Sequence, residues 1–352
     1  MIRPCRHLFV SAVVAAVSSA GALSAQRTTL AGDSVAIYDI AGRVTIEAGT
    51  GNSVEVDMTR GGRQGDKLTV QSGPIRGRET MRVIFPDDRV VYEEMGRGRG
   101  HTSLRVRDDG TFNGNDDDRD RGRRVEISSY GSGLDARADL RVFVPRGRRV
   151  AIYLGVGEVR ATNVDGDLTL DVGAAPVTTK GTRGRLTIDG GSGRIEVSDA
   201  DGTVSIDAGS GGSTVSRVHG GTLSMDVGSG HVTISDIDVT SLSLDAGSGG
   251  VDATGVKASD VSIDAGSGSV DVAILSDIKR LKIDAGSGGV SLRLPKTLSA
   301  EVSVETGSGN ITTDFEIAVT RSERRLLRGK IGAGDGRITI ETGSGGVRLL
   351  KN

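Results

Sequence analysis

Nine carboxylates recur at one fixed place in this chain. Asp171, Asp189, Asp207, Asp226, Asp245, Asp264, Asp284, Glu305 and Glu341 each stand two residues before a corner glycine, most often within a Gly-Ser-Gly phrase. A row of carboxylates invites three chemistries. It could hold a line of cations, supply the acid and base that cleave a glycosidic bond, or brace each corner by accepting backbone N–H bonds. Calcium-binding nonapeptide solenoids place their Asp after the glycines, in the pattern GGxGxDxUx. Here the repeated acid precedes them. "GSGGVD" (Gly247–Asp252) and "GSGSVD" (Gly266–Asp271) come nearest, and "GSGRIE", "GSGGST" and "GSGHVT" do not follow. An acid and base pair needs a groove and unlike environments that split the two pKa values, whereas this column is uniform. Neighbours about 5 Å apart would repel by roughly 1 kcal/mol in water and about 3 kcal/mol at an effective dielectric near 20. The expectation is that corner N–H groups offset this repulsion and hold the folded pKa values down.

Other reactive groups are sparse. Beyond the N-terminal segment the histidines are His101, His219 and His231. They occupy unlike positions, none in a Ser/His/Asp or HExxH setting, and read as surface residues. "GSG" is no phosphate loop, because no GxxxxGK[ST] follows a strand and opens a helix. A Ser/Thr column for ice or a crystalline polymer is a minor option, since it is Ser-rich and interrupted by Lys282. The expectation is therefore no catalytic, cofactor-binding or metal-binding residue and no cofactor, with ligand-binding residues left open.

The elements that position the acids follow from periodicity. The corner glycines Gly155, Gly173, Gly191, Gly209, Gly228, Gly247, Gly266, Gly286 and Gly307 lie 18 to 21 residues apart, and the step to Gly343 is 36. A fixed period of this size marks a repeat architecture. Five and three residues before each corner stand aliphatics, from Leu168 and Leu170 to Ile338 and Ile340, with Thr169, Thr187, Ser205, Ser224, Ser243, Ser262, Lys282, Ser303 and Thr339 between them. That alternation is a β-strand, apolar inward and polar outward. A second short strand follows each corner, as in Val251/Ala253 and Val270/Val272. The other turn of the coil is punctuated by Asp165–Asp167, Asp201–Gly202 and Gly220–Gly221. No coil can bury its aliphatics alone, so coils must stack in parallel, about 4.8 Å apart. The predicted fold is all-β, a single-chain parallel β-solenoid of about 18–20 residues per coil.

Composition agrees. Gly is abundant at 54 residues of 352, aromatics are 3% and Trp is absent, which suits a thin aliphatic core repeated many times. The formal net charge is −2, with an acidic middle between mildly basic ends, which argues against a nucleic-acid partner. Residues 1–25 read as a secretory signal: Arg3 and Arg6, the apolar run Leu8–Val17, then small residues with cleavage after Ala25, or alternatively after Ala22. Cys5 precedes the apolar run, so it is not placed as a lipid-bearing cysteine, and the mature chain holds no thiol. No later run is apolar for long enough to span a membrane as a helix. Residues 26–150 read as an irregular β-strand region. Val35–Met58 forms an opening coil there, "KLTVQ" and "MRVIFP" are strands, and 96–124 is a mobile Arg/Asp-rich loop. Residues 151–352 are the regular solenoid, with an insertion near 318–334.

The export signal, the opening "AIYDIAGRVTIEAG", the lead-in "LRVFVPRGRRVAIYLGVGEV", the serial "DAGSG" corners and the ending "GRITIETGSGGVRLL" resemble a family of bacterial exported proteins. These carry the label of adhesin domains, or of β-strand-repeat domains of unknown function. The resemblance covers most of the mature chain and implies a right-handed β-helix. It supplies no catalytic residue. The long Arg/Asp-rich segment departs from the compact family pattern. The resulting expectation is a noncatalytic exported protein, periplasmic, on the outer surface or secreted. It would present a repetitive polar surface to a surface glycan, an envelope polymer or another protein. The alternative is a carbohydrate-active β-helix enzyme, a polysaccharide lyase or hydrolase.

Overall fold

The computed structural model describes residues 26–95, 100–113 and 122–352. The signal segment 1–25, and residues 96–99 and 114–121 of the expected loop, lie outside the described residues. Among the described residues, apart from one 3-10 turn at Gly65–Lys67, the regular elements are all strands. Among the described residues no helix is long and apolar enough to cross a membrane.

The solenoid opens with the strand Ser34–Ala48, which pairs in parallel with Arg148–Thr162 along nearly its whole length. From there the coils follow one another in register. Leu168 faces Leu186, Leu186 faces Val204, Val204 faces Leu223, and Leu223 faces Leu242. Each of these side chains is almost fully buried, as are Leu170, Ile188, Ile206, Met225 and Leu244 in the neighbouring column. The core is thus an aliphatic ladder, and its fully buried phenylalanines, Phe85 and Phe112, belong to the N-terminal region.

The second turn of each coil differs from the expectation. The chain runs as unbroken strand through Asp201–Gly202 and Gly220–Gly221. It bends instead at Asn163, Gly181, Asp199, Arg217, Asp236 and Gly255, all with φ between +51° and +69°. These residues form a stacked left-handed column, a conformation that Gly, Asn and Asp reach at least cost. Arg217 is the unusual member, and its guanidinium is tied to Asp199 of the preceding coil at 2.5 Å.

Two regions depart from sequential stacking. Near the C-terminus, Arg280–Ala285 pairs with Gly336–Thr342 rather than with Ala300–Thr306, and Gly336–Thr342 pairs in turn with Ala300–Thr306. Likewise Val347–Lys351 lies between Val290–Leu294 and Ile311–Thr313. The last coil in sequence is therefore the penultimate coil in space. The expected insertion is a hairpin, Ala318–Glu323 with Leu326–Ile331, whose return strand pairs antiparallel with Ala300–Thr306 and closes the stack. An antiparallel cap of this kind ends the open parallel edge.

At the other end the opening coil is narrower than Val35–Met58. After Ala48 the chain doubles back as Val54–Gly61, antiparallel to Gln26–Leu30 and Arg137–Val144. The hairpin Thr69–Ile75 with Arg78–Ile84 covers the first half of the opening strand. The described part of 96–124 is not simply loop. His101–Val106 is a strand paired with Arg123–Ser128, and Phe112 is buried. One aromatic side chain and a few aliphatics suffice to anchor a stretch whose composition is almost wholly polar.

Candidate functional site

The candidate site is the outer face of the longer strand arm. Residues directly opposite across a parallel ladder share a face, and the acids are opposite one another at every step. Asp171 faces Asp189, then Asp207, Asp226, Asp245, Asp264 and Asp284 follow. Interleaving of the last coil then places Glu341 before Glu305. All nine carboxylates thus stand in one column, with the Ser/Thr column two residues away. Asp189, Asp207, Asp226, Asp245, Asp264, Glu341 and Glu305 are exposed, while Asp171 and Asp284 are half-buried.

The corners explain why the phrase repeats. At Gly249 a Cβ would stand 1.7 Å from the carbonyl oxygen of Gly230, and at Gly230 it would stand 1.6 Å from that of Gly211. At this turn the Cα–H points along the stack into the backbone of the coil before. A side chain there would strike the coil before, and glycine returns in the later coils, Ala175 being the exception in this column. The intervening Ser is free to vary. The corner N–H groups are also spent on stacking: Gly228 N–H donates to Ala208 O at 2.8 Å and Gly247 N–H to Val227 O at 2.9 Å.

This overturns the expectation about the acids. Among the described residues no corner N–H donates to Asp189, Asp207, Asp226, Asp245, Asp264 or Asp284, because those donors already face the preceding coil. Burial of the carboxyl, followed by the charges of Asp189 and Asp226, pushes Asp207 up from the ordinary carboxylate value. Asp245 is pushed up in the same way, by burial and then by Asp226 and Asp264. These two acids, two steps apart on one ladder, are thus shifted in the same direction.

At its N-terminal end the column changes character. Opposite Asp171 stands Tyr153, and opposite Tyr153 stands Tyr38. The two rings stack at 4.2 Å, Phe112 meets Tyr38 edge-on at 5.5 Å, and the Asn113 amide donates to Asp171 at 2.7 Å. The excursion strand and its following turn therefore roof the start of the face. Sequence reasoning missed this roof, although the run of Tyr and Ala in columns that otherwise hold Asp and Ser was a visible signal.

A second missed residue is Asp39, which falls opposite Leu154 in an inward column. It is fully buried, its Oδ1 accepts from Ala41 N–H at 3.4 Å, and its Oδ2 has no partner among the described residues. Burial pushes this carboxyl well above the ordinary range.

The histidines lie on separate elements. His231 Nε2 sits 2.9 Å from Asp252 Oδ2 at the surface, an exposed pair of neighbouring coils with no serine in the contact. Among the described residues no group of three His, Cys, Asp or Glu side chains is arranged to hold a metal ion.

Comparisons with known proteins bear on the family alone. No curated protein matches the chain. A crystal structure described as a "putative cell adhesion protein" from Clostridium sporogenes aligns over 93% of this chain and 98% of its own, at 10% identity and a TM-score of 0.22. A likeness that weak carries no conclusion about this protein. The family comparison is decisive: the model of the Toastrack DUF4097 family matches residues 103–350, from the excursion strand to the last coil. The chain belongs to the Toastrack DUF4097 family.

Proposed function

We propose that the chain is a noncatalytic, exported binding module that presents the bare part of its outer face to a polymer or protein of the cell envelope, in the manner expected of an adhesin. The observation that carries this reading is the in-register pairing of one Ser/Thr column with one carboxylate column from Asp189 to Glu305, exposed throughout most of its length. A ladder of identical groups about 4.8 Å apart suits a partner that is itself repetitive. An acid–base pair would need one carboxyl raised and its partner left ionised. The acids instead repeat one environment from coil to coil on a largely exposed face, so the column argues against the lyase or hydrolase alternative.

The test uses residues 26–352. Cell fractionation is expected to place the native protein beyond the inner membrane, cleaved near Gln26. On arrays of surface glycans, envelope polymers and envelope proteins it should bind without releasing products. The triple variant Asp226→Ser/Asp245→Ser/Asp264→Ser should lose most of that binding, with a urea midpoint at or above that of the wild type. Release of unsaturated or reducing ends from any polysaccharide would overturn the noncatalytic reading.

A further inference from the structure

The closing hairpin does more than end the stack. Its return strand sets Arg328 opposite Ser303 and Lys330 opposite Glu301, so both cations share the outer face with the strand they cap. On the other side of that strand, Thr339 lies opposite Ser303 and Arg337 opposite Glu301. The outward strand of the hairpin bulges between Val319 and Arg321, and the Thr320 hydroxyl donates to the carbonyl of Arg328 at 3.2 Å. Together these residues line a cleft of about 370 Å³, within the range of small-ligand sites. Its wall is tightly held: a Cβ on Gly329 would meet Ile317 Cγ2 at 2.5 Å and Ala318 O at 2.6 Å.

The charges in the cleft do not balance. Glu301 is its one lining carboxylate, and it lies 3.4 Å from both Lys330 and Arg337. The Arg328 guanidinium has no ion-pair partner among the described residues. A planar guanidinium takes a carboxylate by two parallel hydrogen bonds, and the hydroxyls of Ser303, Thr320 and Thr339 suit the hydroxyls of a sugar. Two residues along the same strands, Glu305 and Glu341 begin the acid ladder. A polyanion lying along the face would meet that ladder, so an acidic group can enter only at the end.

We infer that the cleft between the closing hairpin and the last coils binds the terminal acidic sugar of an otherwise neutral glycan, with Arg328 holding the carboxylate. This rests on the reading of the chain as a binding module and names the ligand class for one end of its face.

The experiment measures binding of sialyllactose, lactose and tetragalacturonate to residues 26–352 by calorimetry at low and moderate salt. Sialyllactose should bind most tightly and weaken as salt rises; tetragalacturonate should follow, and lactose should be weakest. Arg328→Ala/Lys330→Ala should cost sialyllactose binding at least tenfold with an unchanged melting midpoint. Arg328→Lys should keep part of the affinity, and Lys67→Ala, at the exposed 3-10 turn of the N-terminal region, should keep all of it. Equal affinity for sialyllactose and lactose, or wild-type affinity in the double alanine variant, overturns the inference. If the chain still binds a glycan, polymer or protein on the arrays, only this inference falls; if it binds none of them, the module reading falls with it.

Discussion

The outer face of this solenoid exists in two versions on one backbone. Over the opening coils its two columns are Ala36, Tyr38, Ala151 and Tyr153, all buried beneath the excursion that carries Phe112. From the coil of Asp189 onward the same columns are Ser or Thr, broken once by Lys282, and Asp or Glu, mostly exposed. The strand geometry is continuous through both, since Tyr153 pairs with Asp171 in the register that joins all later acids. What differs is the solvent. A covered position selects bulk and a bare one selects charge, so the point where Tyr gives way to Asp marks the edge of the roof.

Exchange of residues between the two versions gives the largest expected effect. Tyr153→Asp places a carboxylate under the roof, between the Tyr38 ring and the next coil. Removing the stacked ring and burying an unpaired acid should cost about 3–5 kcal/mol, seen as a large drop in the urea midpoint. The reverse change, Asp245→Tyr, puts a ring on the bare face and relieves repulsion from Asp226 and Asp264. It should leave the midpoint within about 1 kcal/mol of wild type. Equal losses in the two variants would mean that the roof does not distinguish the faces.

Much of this was legible in the sequence, and the failures have physical causes. Alternation of aliphatic and polar residues fixed the ladder, from Leu168 to Leu281, because an inward column must be apolar wherever it falls. The order of the last coils was not legible. Ile338 and Ile340 would fit against Leu281 and Ile283 as well as Val302 and Val304 would, so identical columns are silent about which coil follows which. The left-handed turns were misplaced because Asp199, Arg217 and Asp236 lack the glycine that usually announces such a bend, while glycines at 202, 220 and 221 stood close by. Asp39 was overlooked because alternation was read from its apolar neighbours. In the candidate site, the acids and their single column were legible, but the fate of the corner N–H groups was not. That depends on the coil before, which no local pattern reports.

The corner is common to both versions of the face, and it offers a sharper control. Gly155 stacks on Ile40 beneath the roof just as Gly247 stacks on Gly228 in the open, each with a carbonyl in the path of a Cβ. Gly249→Ala should therefore force two coils apart and cost about 2–3 kcal/mol. Gly221→Ala, where the nearest atom to a new Cβ is Thr203 Oγ1 at 3.5 Å, should change stability by less than about 0.5 kcal/mol. Urea melts of the two variants make the measurement. If both are tolerated, the glycine phrase is not the geometric requirement of stacking.

The smallest effect separates the two faces by pH. On the bare face the carboxyls of Asp207 and Asp245 are held above the ordinary value, near 3.9, by burial and by neighbouring acids. A raised folded pKa means that the folded state binds protons more readily than the unfolded chain. Its contribution is then fully present below the ordinary value and is lost as pH rises through the raised one. Stability should accordingly increase as pH falls from about 7 towards about 4.5. Below that, acids held down by arginine act in the opposite sense. Asp57 is bound by Arg27 and Asp199 by Arg217, and their contributions disappear as pH falls through their lowered values. A shallow maximum in the urea midpoint between about pH 4 and 5 is the expected profile. Asp245→Asn removes one charge from the middle of the ladder. It should raise the midpoint at pH 7 by a few tenths to about 1 kcal/mol, with the gain shrinking at the maximum, where the wild-type ladder is partly protonated. A wild-type midpoint that falls steadily from pH 7, with Asp245→Asn neutral or harmful at every pH, would show that some hydrogen bond stabilises the ionised ladder after all. The bare face would then be braced like the covered one, and the contrast between them would reduce to shape.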